Sequence, residues 1–176
     1  MNLVSLVNQS LGFLTVFGQL IIGATALAVL TRKNKFSKNF LKIISKNSLL
    51  FSFIVALAAT LGSLFYSEVA GYEPCKLCWY QRIFMYPQIV LLAQAVRWKD
   101  YKFSKYSLSL SIPGAAVAAY HYLLQVGVVP GVTCTSVGYS ISCSQRFVMQ
   151  FGYITIPMMA LTAFLLIIVF NLTKYD

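Results

Sequence analysis

The sequence has 176 residues, of which 59% are hydrophobic and only 10% are charged, and its formal net charge is +10. A soluble domain of this length has too little polar surface to cover so many apolar side chains, so the composition excludes an ordinary water-soluble enzyme. Apolar runs long enough to cross a bilayer as helices occur at residues 12–30, 48–66, 79–96, 107–126 and 152–170. These five runs predict an all-α integral membrane protein.

The first run has no basic residue before it, and a basic segment, 31–47, follows it with six lysines and arginines and no acid. A secretory signal peptide has the opposite order, so we predict an uncleaved helix. Residues 1–47 are therefore predicted to form an N-terminal transmembrane helix with a basic cytoplasmic loop. Residues 48–176 carry the other four runs and are predicted to form a four-helix transmembrane bundle.

Basic residues are distributed unevenly between the connections. Segments 31–47 and 97–106 and the C-terminal tail hold eleven lysines and arginines, whereas the other side of the membrane holds three. Because basic loops stay in the cytoplasm, this bias predicts an extracytoplasmic N-terminus and a cytoplasmic C-terminus. The positive charge is thus explained by topology and by attraction to anionic membrane lipid, and binding to nucleic acid is not expected.

All four cysteines fall on the predicted outer side. Cys75 and Cys78 form a C-x-x-C pair at the start of the third helix, and Cys134 and Cys143 lie in the loop between the fourth and fifth helices. Four thiols facing an oxidising compartment indicate two disulfide pairs. The loop pair suits a structural or a redox role equally. A bridge across two residues adds little stability, so the C-x-x-C pair favours redox chemistry, for which a helix N-terminus is the usual position.

Polar residues surround this pair. Pro74 is predicted to lie in the first helical turn, and Arg82 follows Cys78 by one turn on the same face. An arginine near the centre of a membrane helix costs about 2.5–3.5 kcal/mol, so Arg82 either reaches lipid phosphate or holds a polar ligand oxygen. Gln81 is a second candidate for that ligand. His121, at similar depth in the fourth helix, is either an interfacial residue or a wall of the ligand site.

Redox chemistry at these thiols also needs an electron acceptor. Structural disulfides have potentials below about −300 mV, whereas strongly oxidising extracytoplasmic dithiol proteins lie near −120 mV, so a loop disulfide alone could not oxidise such a partner. The sequence has no G-x-G-x-x-G motif for a flavin or nicotinamide, and its single histidine rules out a His-rich haem site. A thiol pair at lipid level points to a quinone dissolved in the bilayer.

Three segments carry a family resemblance: "EPCKLCWYQRIFMYP", the later loop with two cysteines, and "FGYITIPMMAL". Together they resemble the DsbB family of quinone-dependent disulfide-forming proteins of the bacterial cell membrane, and most closely its BdbC-like branch, disulfide formation protein C. The resemblance covers residues 50–172 and implies a four-helix bundle of the DsbB type, to which the first helix is an addition. We expect a chain that begins near Lys38 to keep its activity.

The resemblance implies a membrane thiol:quinone oxidoreductase that reoxidises a DsbA-like thioredoxin-fold protein. Cys134 and Cys143 would exchange with that partner, with Cys134 attacked first and Cys143 released to attack Cys75. Cys78 would then face the quinone, either menaquinone or ubiquinone, whose ring Arg82 contacts. The loop cysteines are closer together than in proteobacterial members of the family.

Two alternatives remain open from the sequence. One is a quinone reductase working in the opposite direction, like vitamin K epoxide reductase, which also joins a C-x-x-C to a loop pair but usually carries the C-x-x-C late in its bundle. The other is a membrane protein without enzymatic activity, with two structural disulfides or an all-cysteine zinc site. Zinc would need four convergent thiolates, an implausible state in an oxidising compartment, so no metal is expected.

Overall fold

The computed structural model of the protein describes residues 2–100, 102–129 and 142–173. Within these ranges the chain forms five α-helices, which are α1 (Leu3–Leu30), α2 (Lys35–Leu64), α3 (Lys76–Trp98), α4 (Lys102–Val126) and α5 (Ile156–Leu172). A π-helical turn, Phe65–Val69, extends α2. The described residues contain no β-strand beyond an isolated bridge between Gln150 and Ile154, which confirms the all-α prediction.

Helices α2 to α5 form a closed ring in which α3 packs between α2 and α4, and α5 packs between α4 and α2. Leu92, Ala118 and Phe164 are fully buried at its centre. At Gly114 of α4, a Cβ atom would lie 2.5 Å from the Phe164 ring of α5. Glycine at this position therefore allows the two helices to approach closely, as small residues do in membrane proteins.

A buried polar network links α3, α4 and α5. Ser107 and Ser111 donate hydrogen bonds to Gln88 Oε1 at 2.9 and 3.0 Å, and Ser104 donates to Asn171 Oδ1 at 2.7 Å. All five side chains are at most 1% exposed. Hydrogen bonds of this kind hold helices together where lipid supplies no hydrophobic driving force between them.

The surface of the bundle is apolar. Phe13 and Leu20 of α1 and Leu61 of α2 are each more than half exposed, as expected of side chains that face lipid. In the described part of the chain, α1 and the segment Lys35–Val69 are each long and apolar enough to span a membrane alone, and α5 is apolar but has 17 residues. Helices α3 and α4 are less apolar because the polar side chains that they bury lower their hydropathy. The chain is an all-α membrane protein.

Four helices begin at least four residues from the predicted start of their apolar run. Two of them are α1, which begins at Leu3 instead of residue 12, and α4, which begins at Lys102 instead of residue 107. The basic segment 31–47, predicted as a loop, is helical from Lys35, so α2 continues through the predicted domain boundary at residue 47. Lysine is a good helix former, so a basic segment need not be a loop. The fifth run was predicted from residue 152, but α5 begins at Ile156, with Pro157 in its first turn.

Helix α1 lies outside the four-helix ring and packs mainly on α5 and less extensively on α2. Its buried residues are small, namely Gly12, Thr15, Gly18, Thr25 and Ala28. This face lets the backbone of α1 come close to the bundle, while other side chains of the helix, such as Phe13 and Leu20, point outward.

Candidate functional site

The C-x-x-C pair lies at the N-terminus of α3. Cys75 is the N-cap residue, with φ −71° and ψ 172°, and its carbonyl oxygen accepts the Trp79 N–H at 3.1 Å. Pro74 therefore precedes the N-cap, and its predicted place in the first helical turn is wrong. Cys78 is the third helical residue, and the Cys75 thiol donates to Cys78 Sγ at 3.3 Å.

The two thiols, which precede the apolar segment 79–96, differ in acidity. The hydrogen bond from the Cys75 thiol lowers the pKa of Cys78, and a hydrogen bond from the Cys75 backbone and the Arg82 charge act in the same direction. The same thiol–thiol bond, together with burial, raises the pKa of Cys75. Of the two thiols, Cys78 therefore forms the thiolate, the reactive form of cysteine, more readily.

His121 of α4 connects this pair to the segment after α4. Its Nε2 lies 3.7 Å from Cys75 Sγ and 3.1 Å from the Cys143 carbonyl oxygen, and its Nδ1 lies 3.0 Å from Gln81 Nε2. Since a carbonyl oxygen can only accept and an amide nitrogen only donates, these contacts fit the His121 tautomer that carries a proton on Nε2 and accepts at Nδ1. The side chain is 1% exposed.

Cys143 lies against the C-x-x-C pair. It is 2% exposed and shares a buried cluster with Cys75 and Leu124, and Cys78 packs on the edge of that cluster. A cavity of about 20 Å³, enough for one water molecule, separates the pair from the segment that begins at Ser142. Cys134, the other predicted loop cysteine, lies outside the described residues.

The segment after Cys143 is held in place by polar and aromatic contacts. Arg146 Nε donates to the Gln125 carbonyl oxygen at 2.7 Å, and Gln125 Nε2 donates to the Gln145 carbonyl oxygen at 3.0 Å. The Phe147 ring stacks on Tyr72, just before the C-x-x-C pair, with centroids 4.8 Å apart. These contacts fix the approach of Cys143 to Cys75.

Arg82 points toward α2. Its Nε donates to Ser63 Oγ at 3.0 Å and its Nη2 donates to the Ser63 carbonyl oxygen at 3.1 Å. The Tyr86 hydroxyl also donates to Ser63 Oγ, at 3.3 Å, and the guanidinium carbon lies 5.2 Å from the Trp79 ring centroid. Ser63 takes two of the five N–H donors of the guanidinium, so Arg82 can also donate to a ligand oxygen.

A cavity of about 700 Å³ lies beside Arg82, between α1, α2, α3 and α5. Most of its wall is apolar, and at the end beside the C-x-x-C pair it is lined by polar side chains that include Ser63, Cys78, Gln81, Arg82 and Tyr86. Neither Cys75 nor His121 is among its lining residues. The structure therefore brings Arg82 and Gln81 together at the cavity, and it places His121, expected as a wall of the same site, on the side of Cys75 and Cys143.

A metal ion is a second possible ligand of the thiols. The ligand atoms of Cys75, Cys78 and His121 lie within 4.8 Å of one another, and within the described ranges no fourth His, Cys, Asp or Glu joins them. Structural zinc sites use four protein ligands, and these three residues supply only three.

Sequence reasoning missed four residues of this site. Ser63 and Tyr86, which surround the guanidinium, and Gln125 and Arg146, which fix the segment after Cys143, were not predicted. The signal for Ser63 was a polar residue inside an apolar run, and that for Gln125 was its place one turn after His121 on the same helix face.

The chain is similar to known proteins over most of its length. The chain matches the family model "Disulfide bond formation protein DsbB" over residues 45–173. Disulfide bond formation protein C of Bacillus subtilis is 46% identical, over 71% of this chain and 92% of that protein. Probable disulfide formation protein C of Bacillus cereus is 42% identical, over 69% of this chain and 87% of its own length. The SPbeta prophage-derived disulfide bond formation protein B of Bacillus subtilis is 39% identical, over 69% and 81%.

No solved structure matches the chain. The family match covers α2 from residue 45 onward, all of α3, α4 and α5, and the described cysteines, and it supports a disulfide-forming oxidoreductase. The predicted resemblance is confirmed: the chain belongs to the DsbB family of disulfide bond formation proteins, as a BdbC-like member.

Proposed function

We propose that the protein is a membrane thiol:quinone oxidoreductase that reoxidises an extracytoplasmic, DsbA-like dithiol protein. One observation carries this proposal, namely that the C-x-x-C pair has two faces. Cys75 packs against Cys143, whereas Cys78 lines the large cavity beside Arg82. A relay of electrons between a protein partner and a membrane ligand needs a thiol pair that meets one of them on each side.

The cavity suits a quinone because its two ends differ in chemistry. Arg82 and Gln81 offer hydrogen-bond donors at the outer end, and most of the remaining wall is apolar. A membrane quinone, menaquinone or ubiquinone, has ring oxygens and an apolar tail that match these two parts. When bound there, it would accept an electron pair and protons from the Cys75–Cys78 dithiol.

The protein steps are successive thiol–disulfide exchanges. A partner thiolate attacks Cys134 Sγ, which breaks the Cys134–Cys143 bond and releases the Cys143 thiolate. Cys143 then attacks Cys75, forming a Cys143–Cys75 bond and releasing Cys78 as the thiolate. The second partner thiol displaces Cys134, which leaves the partner oxidised. Cys134 attacks Cys143 and restores the loop disulfide, and the Cys75–Cys78 pair is left reduced.

His121 assists the exchange at Cys75. Its Nε2–H points to the region between Cys75 Sγ and the Cys143 carbonyl oxygen, where it can donate to a Cys75 thiolate as that group leaves. Gln81 holds the imidazole in this tautomer through Nδ1. His121 thus acts on the thiol side of the pair.

The topology belongs to the same proposal. With the basic residues of Lys35–Lys46 at the cytoplasmic end of α2, the N-terminus and all four cysteines lie outside the cytoplasm and the C-terminus lies inside. Cys134 and Cys143 are then accessible to an extracytoplasmic partner.

The experiment that tests the relay uses a thioredoxin-fold partner that lacks its second cysteine. This partner should accumulate as a covalent adduct on Cys134, identified by mass spectrometry, and Cys134→Ser should abolish the adduct. An adduct on Cys75 or Cys78 would overturn the proposed order. Electrophoretic mobility after thiol alkylation, with and without added quinone, tests the direction of electron flow. An oxidase requires that both disulfides form in a quinone-dependent way. A reductase, or a protein with two structural disulfides, does not.

A further inference from the structure

Helix α1 forms part of the cavity wall although it lies outside the family match, which begins at residue 45. Six residues between positions 11 and 21 of the helix line the cavity, namely Leu11, Leu14, Thr15, Phe17, Gly18 and Ile21. The helix therefore covers the side of the cavity that lies between α2 and α5.

Specific contacts fix α1 in this position. A Cβ atom at Gly18 would lie 2.9 Å from Leu166 Cδ1, so the α1 backbone lies directly on α5. Gln19 Nε2 donates to Thr162 Oγ1 at 3.4 Å, and the Tyr153 hydroxyl donates to Gln19 Oε1 at 2.8 Å. Polar contacts between apolar helices in lipid are costly to break, so α1 is docked in one register.

The contacts of α1 run along the length of the cavity. Leu11 lies 3.2 Å from the position of a Cβ on Gly62, next to Ser63 and the polar end. Ile21 packs with Ile44 and Phe170 at the other end. Ten residues of helix separate Leu11 from Ile21, which corresponds to ~15 Å along the axis.

We propose that α1 is the tail-binding wall of the quinone site in this protein, with the isoprenoid tail of the quinone as its ligand. The inference rests on the proposed function, which assigns the ring to the polar end beside Arg82. A tail that leaves the ring there must run along the apolar part of the cavity, past Leu11 and then Ile21. Without α1, the groove between α2 and α5 would be open to lipid acyl chains, which compete for the same surface.

This inference changes what is expected of a chain that begins near Lys38. Such a chain should keep thiol exchange, because no residue of α1 contacts the C-x-x-C pair among the described contacts. It should lose the preference for long-tailed quinones over tail-free ones.

The test compares a tail-free naphthoquinone with the same ring carrying a long isoprenoid tail, with dithiothreitol as the thiol donor to the full-length protein. Ile21→Ala should raise KM for the long-tailed quinone about fivefold, the order expected when one apolar side chain no longer covers the ligand, and leave KM for the tail-free quinone unchanged. Leu20→Ala is the matched control, since Leu20 is 66% exposed and is not among the lining residues. It should change neither KM.

A second variant gives a readout that does not depend on turnover. Ile21→Trp narrows the cavity at its far end and should reduce the long-tailed quinone that co-purifies with the protein, while the tail-free quinone is still reduced at the wild-type rate. Equal effects on both quinones, or no effect of either Ile21 variant, would overturn the inference while the proposed function stands. If the wild-type protein reduces neither quinone, the proposed function fails, and the inference fails with it.

Discussion

Replacing Arg82 with glutamine tests the ligand end of the cavity most directly. In the folded protein the guanidinium donates two hydrogen bonds to Ser63 and lies near the Trp79 ring, and its remaining N–H donors are the ones that a quinone oxygen can accept. Glutamine is shorter and uncharged, so it cannot keep the Ser63 bonds and reach the ligand as well.

The expected rise in KM for quinone follows from the loss of one hydrogen bond from a charged group. A hydrogen bond to a charged group contributes about 1.5–3 kcal/mol, and 1.4 kcal/mol corresponds to a tenfold change in an equilibrium constant. Arg82→Gln should therefore raise KM for quinone by about 10- to 150-fold. Arg82→Lys keeps the charge but not the planar fork, and we expect an intermediate KM.

The assay is steady-state quinone reduction, with alkylation and mobility shift to report both disulfides. Both disulfides should still form in Arg82→Gln, because the cysteines and His121 keep their contacts. If the KM for quinone is unchanged in this variant, the guanidinium only holds α3 against Ser63 of α2, and its assignment to the ligand is wrong.

Three further predictions concern packing and acidity. Gly114→Ala should lower the free energy of unfolding by about 1–3 kcal/mol through overpacking against α5. The measurement is the midpoint of unfolding of the protein in detergent, which should fall. Gly23→Ala is the control and should not destabilise the protein, because no atom lies within 4 Å of a Cβ at that position. Gln88→Leu removes the shared acceptor of the buried network and should cost about 0.6–1.7 kcal/mol in the same measurement, and an unchanged midpoint would contradict that role. In the reduced protein, Cys78 should be alkylated faster than Cys75 at neutral pH, and its rate should level off at a lower pH than that of an ordinary cysteine, because its lowered pKa gives it more thiolate at a given pH. Mass spectrometry of the alkylated protein distinguishes the two, and faster modification of Cys75 would refute the assignment.

The helical bundle was predictable because the length and composition of each apolar run are local properties. The position of the C-x-x-C pair at the start of α3 was predictable for the same reason. The extension of α2 back to Lys35 was not, since a charge bias predicts the side of the membrane but not the conformation of the segment. The structure shows that the basic residues lie mainly on a helix.

The side-chain partners in the site depend on how the helices are rotated against one another. Arg82 and Ser63 are on different helices, and their pairing follows from the packing of α2 on α3. The depth of His121 was predicted, but its direction depends on the rotation of α4, which the close contact of Gly114 with Phe164 constrains. The sequence carries no local signal for either rotation.

The buried network around Gln88 has a mechanical consequence for the catalytic cycle. If α3 slid along α4 by one turn, about 5.4 Å, Gln88 would lose both serine donors in a region where no water replaces them. The α3–α4–α5 interface therefore resists sliding of these helices along one another, and we expect the rearrangements that accompany thiol exchange to occur elsewhere in the protein. We therefore expect Cys78 to keep its place beside the cavity in both the oxidised and the reduced states of the pair.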